Sequence, residues 1–190
     1  MTRVTQGSHI SALVSIGLCG VFMTSGSVGG ANEGERGAKM IRLGDIVLSP
    51  RGEIEAEYRT PGASCKMKLE VSEMGGFTVL QILRAKDASV LAGPVNDVGG
   101  VSWVTREQIV FAVNNIYSER PGLFLASCAT GRITQVKLPS SVLTPESLGA
   151  ITLTKVSPGR PGLVEMCVDR TLYQVRTDGS RFRMIGRCEN

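Results

Sequence analysis

The chain has 190 residues with 21 Lys and Arg against 17 Asp and Glu, a formal net charge of +4, one His and five Cys. So mild a balance, with no long run of one sign, excludes the dense basic stripe of a nucleic-acid surface. The single histidine, His9, lies near the N-terminus, so the remainder has no imidazole for Ser-His-Asp or Cys-His catalysis or for a catalytic zinc site.

In chain order, Arg3 precedes an apolar stretch from Ile10 to Met23, and the small residues TSGSVGGA follow. Charge, apolar core and small residues in that order read as a secretory signal peptide over residues 1–31, cleaved after Ala31. The apolar stretch is shorter than the about 20 residues of a bilayer span, so no stable transmembrane anchor is expected. An uncleaved N-terminal anchor is the alternative. Cys19 follows Leu18, where a lipoprotein signal calls for a small residue. The expected location is periplasmic or secreted. There the remaining Cys65, Cys128, Cys167 and Cys188 should form two disulfides. Three pairings are open. Cys167 and Cys188 fall at the same end of one strand group, and Cys65 and Cys128 fall in the third strands of two others, which favours Cys167–Cys188 with Cys65–Cys128.

Residues 32–44 are expected to be a mobile leader, because their first half is polar, Gly-rich and without period. Strand signals then come in three groups. The first, 45–83, holds DIVLS, EIEAEYR, CKMKLEV and FTVLQIL, parted by turns at Pro50–Gly52, Thr60–Gly62 and Glu73–Gly76. The second, 99–138, holds GGVSWV, IVFAVN, LFLASC and ITQVKL. AITLTKV, LVEMCV, TLYQVR and RFRMIG make up the third, 150–186. The groups begin about 50 residues apart, the spacing of a repeated sheet module. Helical periodicity is absent, although Lys86 to Leu91 can form a single turn. In the last group, a two-residue turn at Asp178-Gly179 with positive φ at both positions sets Val175 opposite Phe182 and Tyr173 opposite Met184. On the other face it pairs Arg176 with Arg181 and Gln174 with Arg183.

Ser49-Pro50-Arg51-Gly52, Ser102-Trp103, Thr130-Gly131 and Thr177-Asp178-Gly179-Ser180 stand at matching places in these groups. The pattern resembles the repeat of TolB-like periplasmic β-propellers over most of residues 45–186. What the resemblance implies is a fold more than an activity. That fold is all-β, a single domain over 45–190 of three four-stranded antiparallel blade-like units, a partial β-propeller. A β-prism or β-sandwich is the alternative. Three units do not close a ring of four to eight blades. Met40–Gly44, Ala88–Leu91 and Ser141–Leu143 are therefore candidates for extra edge strands, and a homodimer for completing a six-bladed ring.

Glu53, Glu55 and Glu57 share one strand face, where they suit either a Ca²⁺ ion or water. Pairing Tyr58 with Met67 and Ala56 with Leu69 sets Glu57 opposite Lys68, and the solvated face is the expected outcome, with no metal and no cofactor. Trp103 is expected in the core rather than as a ligand platform. Arg176, Arg181 and Arg183, with Arg160, Arg170 and Arg187 nearby, form a cluster whose guanidinium groups suit an acidic partner, polymer or lipid surface. Edge protection is the other reading of the same charges. Asn115 and Tyr117, in the longest insert between strands, are the second binding candidates. No nucleophile elbow, phosphate loop or dinucleotide fingerprint occurs. The expected function is an exported non-catalytic binding or scaffold protein that presents its loops to an envelope protein or other acidic partner. A carboxylate-based hydrolase or lyase of cell-surface polysaccharide, using residues such as Asp45, Asp97 and Asp169, is the alternative.

Overall fold

Strands that alternate polar and apolar residues, and strands that are apolar almost throughout, sort this chain into three sheets. The computed structural model describes residues 37–73, 76–114, 121–143 and 151–188, so the expected signal segment, with Asn115 and Tyr117, lies outside the described residues. The first sheet holds β1 (Lys39–Met40), β2 (Glu55–Arg59), β3 (Cys65–Val71), β4 (Thr78–Arg84) and β5 (Val90–Val95). The middle sheet holds β6 (Val98–Thr105), β7 (Gln108–Val113), β8 (Gly122–Ser127) and β9 (Ile133–Gln135). The last holds β10 (Thr152–Ser157), β11 (Leu163–Val168), β12 (Thr171–Arg176) and β13 (Arg183–Arg187). Apart from the short parallel pair of β1 with β2, all neighbours are antiparallel and sequential. The described residues contain no helix, and the three sheets do not close into a barrel.

The sheets pack face to face in two cores. In the first sheet Ala56, Tyr58, Met67, Leu69, Leu80 and Ile82 point inward, while Glu57, Lys66, Lys68 and Glu70 alternate with them on the outer face. The middle sheet is buried on both sides. Ile109, Phe111 and Val113 enter the core shared with the first sheet, and Val110 and Ala112 enter the core shared with the last. Trp103 is fully buried in the first of these, as its setting in the sequence suggests. Phe111 stacks on Phe124 at 5.6 Å between ring centroids. Each such side chain contributes about 1.5–3 kcal/mol by leaving water, which explains why IVFAV and LFLA are apolar without alternation.

Two features depart from the strand groups of the sequence. Residues 45–49 are not the first strand of the first sheet; its four main strands are β2 to β5, with Val90–Val95 as the fourth. Instead, Val47 exchanges both backbone hydrogen bonds with Val101, at 2.9 Å each, and Gly44 N–H donates to Trp103 O at 2.9 Å, so the segment covers the free edge of β6. Nor is the described end of the leader loose. Ile41 and Leu43 pack on the first core and Ile46 on the second, so this segment is wedged between sheets. Alternation marks a strand but not its partner, and a wedge between two cores satisfies the same pattern. Of the candidate edge segments, Met40 and Val90–Leu91 enter strands, whereas Ser141–Leu143 is a turn anchored by buried Val142.

Both disulfides form. Cys65–Cys128 joins the start of β3 to the residue after β8 and so staples the first sheet to the middle one. Cys167–Cys188 closes the last sheet across β12.

The hairpin of the last sheet turns one residue earlier than its Asp-Gly pair implies. Gly179 N–H donates to Arg176 O at 2.8 Å and Arg176 N–H to Ser180 O at 3.0 Å. Gly179 takes φ +82°, Asp178 is not left-handed, and Arg181, at φ +54°, absorbs the extra residue. Beyond that bulge the expected register returns, with Gln174 opposite Arg183 and Tyr173 opposite Met184. Val175 with Phe182 and Arg176 with Arg181 are not ladder partners; Phe182 stacks instead on Tyr173 at 5.2 Å. A three-residue turn with Gly in the left-handed position competes with the two-residue turn whenever a later bulge can restore the ladder.

Candidate anion-binding groove

The outer face of the last sheet is where the arginines meet. One row crosses all four strands: Lys155, Glu165, Gln174 and Arg183 are consecutive partners in the register. Lys155 Nζ lies 4.0 Å from Glu165 Oε1, and Gln174 Nε2 donates to the same oxygen at 3.0 Å. Arg183 closes the row by donating its Nε at 2.9 Å and a terminal nitrogen at 2.6 Å to Gln174 Oε1. Gln174 is only 9% exposed, so its amide is fixed by these bonds rather than by solvent. Arg183 is thereby aimed, and part of its five-donor fork is left for another acceptor.

Beside that row, Arg176 and Arg181 join Arg183 around an open groove of about 490 Å³, walled by Pro158, Pro161, Leu163 and Phe182. Neither Arg176 nor Arg181 makes an ion pair among the described residues. Asp178 sits at the hairpin tip, where hydrogen bonds from the Ser180 side chain and backbone N–H, helped by the charge of Arg176, hold its carboxyl below the usual range.

The scaffold under the groove is stiff. Thr177 at the tip accepts a hydrogen bond on Oγ1 from Gly162 N–H at 3.0 Å and donates its own N–H to Gly162 O at 2.9 Å. Gly162 in turn lies so close to Val104 of the middle sheet that a Cβ there would overlap its side chain. A Cβ on Gly179 would sit 3.1 Å from Lys137 O, in addition to the cost of its positive φ. Two independent contacts thus hold the tip that carries Arg176 and Arg181.

The other sequence candidates separate. Arg170 and Arg187 line a second hollow with Asp169, Thr171 and Cys188 at the opposite end of the same sheet, and Arg160 stands exposed in the β10–β11 turn. Next to the long insert, Asn114 is structural: its Oδ1 accepts Ile151 N–H at 2.6 Å and its Nδ2 donates to Asp97 Oδ1 at 3.2 Å. Glu57 pairs with Lys66 at 2.7 Å, while Lys68 pairs with Glu55 at 2.7 Å and Glu70 at 2.6 Å, so the glutamate row is neutralised by lysines. Those two carboxylates, chiefly through hydrogen bonds, raise the Lys68 pKa above its ordinary value. Among the described residues no three His, Cys, Asp or Glu side chains gather as a metal site. Asp45, Asp97 and Asp169 lie on separate elements: within the β6 edge cover, between β5 and β6, and in the β11–β12 turn. Lys155, Glu165 and Gln174 were not evident as a unit in the sequence. The signal available was the β11–β12 register, which sets a glutamate against a glutamine on the face that carries the arginines.

No family model, curated protein or solved structure matches this chain.

Proposed function

We propose that this chain is an exported, non-catalytic binding module that grips carboxylate- or phosphate-bearing groups of an envelope protein in the groove of Arg176, Arg181 and Arg183. The observation that carries the reading is the row from Lys155 to Arg183, which aims one guanidinium while two others, without an ion pair among the described residues, line the same groove. Guanidinium forks match carboxylates and phosphates two bonds at a time, and a pre-aimed fork loses less freedom on binding. An open groove suits a segment on a partner's surface better than an enclosed small molecule. Two disulfides support an oxidising compartment, periplasmic or extracellular, and among the described residues no helix is long and apolar enough to cross a membrane. The stacking of three sheets of four or five sequential strands is in keeping with kinship to TolB-like repeats.

The test is photo-crosslinking in the native envelope, with the reactive residue placed at Pro158 beside the groove and, as control, at Arg51 in the turn before β2. Capture of the same protein from Pro158 only, lost in an Arg176→Glu, Arg181→Glu variant, is the expected result. Equal capture from both positions, or none, would refute the assignment.

A further inference from the structure

The three sheets end in outer strands of very different character. In the first sheet, β5 contains Pro94, which has no N–H to offer a neighbour. The outer strand of the middle sheet, β9, is only three residues long. On the inner side, residues 44–47 occupy the free edge of β6. The outer strand of the last sheet is left differently: β13 runs for five residues, Arg-Met-Ile-Gly-Arg, without proline and with every residue exposed. No described strand pairs with its far edge. Along it, Arg183 faces the groove, Met184 is 69% exposed on the opposite face beside Tyr173, and Ile185 is 38% exposed in the bulge.

We infer that β13 is a docking edge at which an extended acidic segment of a partner protein adds to the last sheet as a fifth strand. The inference rests on the groove reading above and gives it a substrate class: an acidic peptide in β conformation. Main-chain hydrogen bonds to an open sheet edge supply affinity in this mode, and alternate side chains supply selectivity. The side chains here ask for a particular alternation. A carboxylate on the outer face meets Arg183 and reaches Arg181 and Arg176 across the groove, while an apolar residue on the other face covers Met184. The same arginines repel a second copy of β13, because two such edges would bring like charges together. Edge protection and acidic selectivity are then one property of this strand.

The experiment titrates the full oxidised protein with a fluorescent acetylated, amidated Glu-Val-Glu-Val-Glu-Val peptide, with the same peptide methylated on its backbone nitrogens, and with citrate. Hydrogen exchange locates the contact. The expected result is binding of the unmethylated peptide about ten-fold or more tighter than the methylated one, slowed exchange at residues 183–187, and loss of both effects in Arg181→Glu and Arg183→Glu. Equal binding of the two peptides, with citrate also bound, would overturn strand addition and leave the groove standing. Failure of citrate and both peptides would overturn both. Slowed exchange at residues 90–95 instead would also refute the docking edge. The comparison of peptides uses the unaltered protein, so it decides the matter even if a variant misfolds.

Discussion

Gln174 decides whether Arg183 is a clamp or a tethered surface charge, because its single amide oxygen takes two of the guanidinium donors. Gln174→Met keeps the volume and removes the acceptor. It should lower citrate affinity by about 0.5–1.5 kcal/mol, the usual worth of such hydrogen bonds, as read by calorimetry. Asp178 adds a pH dependence whose sign follows from its depressed pKa. The stability it lends the hairpin tip is complete above the ordinary value of 3.8 and is lost as pH falls through the lower, folded value. Amide exchange at Gly179 and Ser180 should therefore accelerate beyond its intrinsic trend only below pH 3.8, and Asp178→Asn should remove that step.

At the scale of the element, the hairpin works because its tip is tied down. Thr177 binds Gly162, and Gly162 fits against Val104 only without a side chain. Gly162→Ala should cost about 1–3 kcal/mol in urea unfolding, the range for forcing a methyl into a packed site. How legible each element was depends on how many of its faces are buried. β2 and β3 alternate strictly, so their pairing, Tyr58 with Met67 and Glu57 with Lys68, follows from the residues alone. β7 and β8 are apolar on both faces, so their place in the middle of the stack was readable only from the absence of alternation. Residues 45–49 read as a strand of the first sheet because a wedge and a strand share one pattern. For the groove, the three arginines and the Gln174–Arg183 pair were legible from the hairpin. Glu165 and Lys155 were not, since they enter through a register that the turn does not dictate.

For the whole molecule, the stack sets what is open to solvent. The middle sheet is covered on both faces, and the first turns lysine–glutamate pairs outward, whereas the last sheet turns outward the arginines that ring the groove. Cys65–Cys128 holds the first sheet to the middle one from two buried positions. Replacing both by Ala should cost about 2–5 kcal/mol in denaturant unfolding and leave citrate affinity unchanged, since the groove lies on the other side of the stack. The account stands most directly on an NMR titration of the arginine side-chain Nε–H signals with citrate. It predicts shifts at Arg176, Arg181 and Arg183 that saturate together, with Arg51 and Arg132 unmoved. Shifts spread over all the arginines alike, or none at those three, would contradict it.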